Sequence, residues 1–482
     1  MHLTKSLFLS YLESPLHMWL SVHSNVEPKP PSLYDQHVME QGYSVEKLAK
    51  EFLQKKVATQ YPAETTLSFE ATLTDGNYES RIDALIYDST NSTYDLYEIK
   101  SSTTIHPEHK YDVTFQYLVG KTSLPINKVY LVRINSDYQR TGEIDINELF
   151  IVEDMTDHIA KKEDEVYQLR AEAWSVLKLE QEPSDEHCFN PGTCGYPEYC
   201  FPNLPDGSIY ELGRASKKQY GELIDMGVEL VEDIPDAFTS NYKQRLQIQS
   251  ARRNQPIIDH KAIAQELSQL KYPIYFLDYE TYGEALPMYD DYKPYQQAVT
   301  QFSIHVARNP ESDEFEHYEC LATEAGDPAR HLATELCKVI GETGSVIVWN
   351  KGFECGRNDE LAVLCPDLAP QLKSINERVY DLMDIFKNGL YVDRQFHGSA
   401  SIKKVLPILC PELSYKELEI GEGTKAMLAW REMVHGARTA EEKEQIRQNL
   451  LTYCELDTWA MVEIWRKLLT LGQDQSKLDP NP

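Results

Sequence analysis

The stretch Pro273-Ile274-Tyr275-Phe276-Leu277-Asp278-Tyr279-Glu280-Thr281 decides how this chain is read. Its apolar and aromatic run predicts a buried strand, which then delivers two carboxylates one residue apart. Side chains alternate across a strand, so Asp278 and Glu280 face the same way, and two clustered acids are costly unless a cation neutralises them. A divalent metal is the simplest such cation. Because Asp-x-Glu after an apolar run also describes an ordinary solvated strand end, the reading needs partners elsewhere in the chain.

One partner lies near the C-terminus, where residues 451–462 combine strong helix formers with neither Gly nor Pro. Tyr453 and Asp457 stand four apart there, one turn from each other on a single helix face. With these residues in place the sequence resembles the DEDD (DnaQ-like) exonucleases, whose first motif is Asp-x-Glu on a strand and whose last is Tyr-x-x-x-Asp on a helix. Between the two, Asn350-Lys351-Gly352-Phe353-Glu354 follows an apolar strand and resembles that family's Asn-x-x-Phe-Asp. Glu354 stands where the family has aspartate. One methylene longer, it suits binding through water or acting as an acid behind the ligands, and Asp381 is its rival for the place. Gly398-Ser399-Ala400-Ser401-Ile402-Lys403-Lys404 is similar to the helix start that precedes the last motif, with Ser401 as cap and Lys403 and Lys404 facing phosphate. The resemblance implies that Asp278, Glu280, Glu354 and Asp457 hold two Mg²⁺ or Mn²⁺ ions and that Tyr453 orients the attacking water. It also implies 3′-to-5′ removal of nucleotides.

A second constellation lies in the N-terminal third. Residues 66–73 alternate with period two, 74–77 form a turn, 80–87 form a second strand and 93–100 a third. Alternation places Glu98 and Lys100 on one face of the third strand, with Asp83 opposite on its neighbour. Asp-x14-Glu-x-Lys resembles the PD-(D/E)XK nucleases, in which the two acids hold Mg²⁺ and the lysine supports attack on phosphorus. Gln116 and Tyr117, in a helix over 111–119, resemble the pair that marks the RecB-like branch and would position the strand. Gly42-x-x-x-Glu46 corresponds to that branch's first motif and makes Glu46 a third candidate ligand. Glu-x-Lys on its own also describes a solvated cross-strand pair.

Downstream, Cys188, Cys194 and Cys200 form a Cys-x5-Cys-x5-Cys array in a Pro- and Gly-rich loop. Thiolates so spaced suit Zn²⁺ or an iron-sulfur cluster. RecB-like nucleases of the CRISPR-adaptation type hold a cluster with three such late cysteines and one early one. The early position here is Ser14, in Ser14-Pro15-Leu16-His17-Met18-Trp19-Leu20. A hydroxyl is a poor ligand for a soft cluster, which leaves a degenerate site, Zn²⁺ with His187 or His17 as fourth ligand, or no metal.

Residues 2–21 and 34–60 read as helices, 128–132 as a strand and 159–179 as a charged amphipathic helix. Residues 217–235 have the form of a helix-hairpin-helix insert, followed by the basic residues Lys243, Arg245, Arg252 and Arg253. The expected fold is α/β with two domains, a PD-(D/E)XK nuclease-like fold over 1–202 and an RNase H-like exonuclease fold over 266–475. A helical connector over 203–265 joins them. Across nearly the full length the arrangement resembles an uncharacterised bacterial two-nuclease family of unknown function.

With 482 residues the chain is too long for one ordinary core, and 41% hydrophobic with 26% charged residues predicts a soluble globular protein. The absence of an apolar run of about 20 residues argues against a membrane span. Nine cysteines and no recognisable signal peptide predict the cytoplasm. A net charge of -30 excludes attachment to nucleic acid through a broadly basic surface, yet metal held by clustered acids reverses the local field where a phosphate sits. The expected partner is therefore DNA or RNA, single-stranded or end-bearing. The competing class is a nucleic-acid-binding or scaffold protein with decayed sites.

Overall fold

The computed structural model describes residues 1–61, 64–183, 188–310, 314–416 and 418–473, so His187 lies outside the described residues. The chain is mixed α/β and divides into two compact units. One comprises Met1–Pro202 with Gly283–Gln296, and the other Asn203–Tyr282 with Gln297–Pro482.

The first unit is built on strands β1 (Leu3–Thr4), β2 (Thr66–Asp75), β3 (Tyr78–Asp88), β4 (Thr93–Ile99), β5 (Ile126–Ile134) and β6 (Phe150–Asp154), in the order β1-β3-β4-β5-β6 with β2 also on β3. The β2-β3 hairpin turns at Gly76, whose φ of +57° favours glycine. β3 and β4 are antiparallel with Ala84 opposite Tyr97, a register that carries Asp83 toward Glu98. β4 and β5 are parallel, so the chain must cross over between them, and it does so through the helix Pro107–Gly120. The helix Leu33–Gln60 lays Val45, Ala49, Phe52 and Leu53 on Ala84, Ile86, Tyr97 and Ile99. Burial of the Val, Phe and Leu side chains of that 3.6-residue stripe stabilises by roughly 1.5–3 kcal/mol each.

The N-terminal segment departs from the single helix expected over 2–21. It forms two helices, Lys5–Glu13 and Pro15–His23, broken at an extended Ser14. Pro15 has no N–H to continue the first helix, and the Ser14 hydroxyl caps the second by accepting from the His17 N–H at 3.2 Å.

The second unit contains β7 (Ile257–Ile258), β8 (Ile274–Tyr282), β9 (Ala298–Ala307), β10 (Glu316–Leu321), β11 (Ser345–Val348), β12 (Val379–Asp381) and β13 (Tyr391–Val392). Its main sheet runs β10-β9-β8-β11-β12, with β8 antiparallel to β9 and parallel to β11, while β13 pairs with β7. The long helix Ala440–Gln473 packs on β8 and β9, placing Ala460, Met461, Ile464 and Leu468 in one core with Ile274 and Phe276. Gly344, at φ +94°, lets the chain entering β11 pass against Pro273, since a Cβ there would sit 2.0 Å from the Pro273 carbonyl oxygen.

Helices Lys217–Asp225, Tyr242–Arg253 and His260–Leu267 belong to this second unit. Two of the four basic residues that follow the insert bond within the unit: Arg245 donates to the Ser240 carbonyl, and Arg252 to the Glu232 and Ile234 carbonyls and to Asp236. No helix among the described residues is long and apolar enough to cross a membrane.

Candidate functional site

In the second unit, alternation along β8 turns Asp278 and Glu280 to one face, where the helix Ala440–Gln473 crosses with Tyr453, Cys454 and Asp457. Carboxylate oxygens of Asp278, Glu280 and Asp457 all lie within 4.8 Å of one another. Tyr415, which the sequence did not single out, donates its hydroxyl to Asp457 Oδ1 at 2.6 Å. Lys403 Nζ lies over the rings of Tyr453 (5.6 Å) and Tyr415 (5.7 Å) and donates to the Gly421 carbonyl. Lys404 is exposed. Ser401 occupies the cap position of the helix Ile402–Leu409, but its side chain makes no capping hydrogen bond.

Asn350 occupies the cap position of the helix Lys351–Leu364 without a side-chain capping hydrogen bond, so the Asn-x-x-Phe-Glu stretch opens a helix directly after β11. Asn358, one turn beyond Glu354, accepts from the Tyr279 hydroxyl at 2.6 Å and so ties this helix to β8. Glu354 is only 3% exposed and its Oε2 has no hydrogen-bond partner. Asp381 instead accepts the backbone N–H groups of Lys351 and Met383.

The electrostatics of this cluster are those of acids short of cations. Burial raises the Asp278 carboxyl well above its ordinary value, and Asp457, Glu280 and Glu354 add to it in that order. Burial and then Asp457 do the same to Glu280. Asp457 is pushed up to about 6 by burial, although Tyr415, Lys403 and Tyr453 pull the other way. Glu354 is pushed up to about 8, again chiefly by burial. Burying like charges without a counter-ion shifts carboxyls in this direction.

The first unit differs. Glu98, 1% exposed, accepts from Lys5 Nζ at 2.8 Å, Lys100 Nζ at 2.7 Å and Gln116 Nε2 at 2.6 Å. Asp112 accepts from Lys100 at 2.6 Å and Gln116 at 2.7 Å, and Asp83 accepts the Ile99 N–H at 2.8 Å. Burial opposes the charge on Glu98, but Lys100 and Lys5 outweigh it and hold this carboxyl far below its ordinary value. Asp83 is pushed up to about 7 by burial and by Glu98. Gln116 Oε1 is buried without a partner. Tyr117 is not among these contacts: it packs with the Ile82, Leu96 and Val113 cluster, with Lys121 over its ring. Glu46 pairs with Lys50 at 2.7 Å, its neighbour one helical turn on.

Lys5 and Asp112 are the residues that sequence reasoning missed here. Asp112 had a signal, since it stands four before Gln116 on the same helix. Lys5 had none, because 93 residues separate it from Glu98.

The three array cysteines are free thiols. Ligand atoms of Cys188, Cys194, Cys200 and His17 all lie within 4.8 Å of one another.

A family model described as a domain of unknown function, DUF2779, matches residues 275–401. The uncharacterized protein UU173 of Ureaplasma parvum is 31% identical over 234 residues, 44% of this chain and 33% of its own length. The uncharacterized protein MG366 of Mycoplasma genitalium is 29% identical over 215 residues, 41% of this chain and 32% of its own length. The chain thus spans about a third of the length of the curated relatives it matches. Among solved structures, an alkaline exonuclease of Laribacter hongkongensis is similar at 14% identity and a TM-score of 0.24, covering 37% of this chain and 90% of its own. The structure named SSO0001 is similar at 14% identity and a TM-score of 0.22, covering 42% of this chain and 86% of its own.

Proposed function

We propose that the chain is a divalent-metal-dependent nuclease acting on DNA or RNA, with a 3′-to-5′ exonuclease site in the second unit. The observation that carries this reading is the convergence of Asp278, Glu280 and Asp457 within 4.8 Å, with Lys403 close enough to lower the Glu280 and Asp457 carboxyls. The donor set fits a hard cation. It is all oxygen, its carboxyls are shifted as a missing positive charge would leave them, and the buried Glu354 Oε2 nearby has no partner. Mg²⁺ or Mn²⁺ held by Asp278, Glu280 and Asp457, with Glu354 directly or through water, would polarise a phosphodiester and lower the pKa of a bound water.

The chain's own groups then have separate tasks. Tyr453, one turn from Asp457, orients the attacking water by hydrogen bonding. Tyr415 fixes the rotamer of Asp457 through its 2.6 Å hydrogen bond. Lys403, with Lys404 beside it in sequence, meets the phosphate backbone.

In the first unit Asp83 and Glu98 are the candidate ligands of a second nuclease site, with Lys100 supporting attack and Gln116 positioning the strand. One observation favours a different role for that cluster: Lys5 and Lys100 already neutralise Glu98 and Asp112. A metal there competes with two ammonium groups, whereas in the second unit it meets uncompensated acids. Cleavage of end-labelled single strands of DNA and RNA in Mn²⁺ separates the sites. Asp278→Ala should abolish stepwise release of nucleotides from the 3′ end, and any activity removed by Lys100→Ala belongs to the first unit. Full activity in the double variant would reject both assignments.

A further inference from the structure

We propose that His17, Cys188, Cys194 and Cys200 form a structural Cys3His zinc site that staples the N-terminal helices to the loop 188–200. The inference is independent of the nuclease reading. With Zn–S near 2.3 Å and Zn–N near 2.0–2.1 Å, tetrahedral geometry separates a ligating nitrogen from each sulfur by about 3.6 Å. His17 Nε2 lies 3.4 Å from Cys194 Sγ and 3.5 Å from Cys200 Sγ, and the four ligand atoms all fall within 4.8 Å of one another. A four-iron cluster assigns each ligand to its own iron and spreads the ligands over a wider span, so this spacing suits a single ion. Three thiolates and one imidazole are a common closed donor set for structural zinc. On binding, the thiols release their three protons and the neutral imidazole coordinates through Nε2.

The surroundings are built for such a site. Ser14, at the position where an early cysteine was expected, is occupied in capping the helix Pro15–His23, and His17, within the first turn of that helix, meets the thiols in its stead. The Tyr196 N–H points at Cys194 Sγ at 3.3 Å, the kind of N–H···S bond that stabilises a thiolate. Cys194 is 3% exposed, and Leu16, Trp19, Leu20, Tyr196 and Phe201 pack around the group. Among the described residues the loop's regular structure is one four-residue helix, Pro197–Cys200, and its Gly195 carbonyl accepts from the Lys29 N–H. The staple also bears on the other cluster of this unit, since the helix directly before Pro15 begins with Lys5, which reaches Glu98.

The test is elemental analysis of the purified full-length chain, followed by Co²⁺ substitution. One zinc per chain is expected. Co²⁺ should give thiolate-to-metal charge-transfer absorption and visible bands of tetrahedral intensity. His17→Ala should lose the metal in competition with a chelator, and His17→Cys should keep it with shifted Co²⁺ bands, so a folding failure of the alanine variant does not decide the matter. Chelation should lower the melting temperature of the wild type and leave that of His17→Ala unmoved. Iron with labile sulfide and brown absorbance, a chain that takes up neither zinc nor Co²⁺, or zinc retained unchanged in His17→Ala would each overturn the site.

Discussion

At the scale of single residues, Glu354 and Lys5 mark opposite solutions to a buried charge. Glu354 is raised to about 8 from an ordinary 4.5, mainly by burial, so the folded chain binds a proton that the unfolded chain has lost. Stability contributed at this position therefore falls as pH rises from about 4.5 to about 8. Glu354→Gln should accordingly stabilise the metal-free protein, by on the order of 2–4 kcal/mol at pH 8 and by little at pH 5. Urea unfolding at the two pH values measures this, and equal effects at both would refute the charge argument. Lys5 is the converse. Removing it leaves Glu98 and Asp112 buried with a single lysine between them, and Lys5→Met should cost about 2–3 kcal/mol, less than a fully buried pair because Lys5 keeps a fifth of its surface open. Lys128→Ala, which breaks the exposed pair with Asp154, serves as the control and should leave unfolding unchanged.

At the scale of elements, what was legible in the sequence followed local periodicity. β8 announced itself by an apolar run ending in alternate acids, the β2-β3 hairpin by period two around Asp75-Gly76-Asn77, and the last helix by Tyr453 and Asp457 one turn apart. β9 did not, for a physical reason. All ten of its residues are buried, so polar side chains sit on it without marking a solvent face. Ser303 and His305 hydrogen-bond to Thr458, and Gln301 Nε2 donates to the Leu450 carbonyl, partners about 150 residues away. Tyr415 and Lys5 likewise act through long-range contacts and left no local trace, whereas His17, one of two histidines weighed as fourth ligand of the array, is the one that lies among its thiols. Gly344 shows how sharply one element can depend on a single position. Its φ of +94° and the 2.0 Å approach of the Pro273 oxygen leave no room for a methyl group. Gly344→Ala should destabilise the second unit by roughly 2–4 kcal/mol through displacement of β11 from β8, seen as a lowered urea midpoint. A midpoint within experimental error of the wild type would contradict this account of the β8-β11 junction.

At the scale of the whole molecule, a net charge of -30 makes any grip on a polynucleotide depend on cations. The second unit concentrates uncompensated carboxyls around β8, while the first unit answers its buried acids with lysines. Divalent metal should therefore stabilise the protein chiefly through Asp278, Glu280 and Asp457, by about 2.7 kcal/mol at a hundredfold excess over Kd. The effect should weaken as pH falls through about 6, where protons compete at Asp457. The most direct measurement is calorimetric titration of Mn²⁺ into the metal-free full-length chain at pH 7.5, with Asp278→Asn/Asp457→Asn beside it. Saturable binding by the wild type that disappears in the double variant, with its circular dichroism unchanged, is the predicted result. Identical Mn²⁺ isotherms for the two proteins would contradict the metal site on which the proposed chemistry depends.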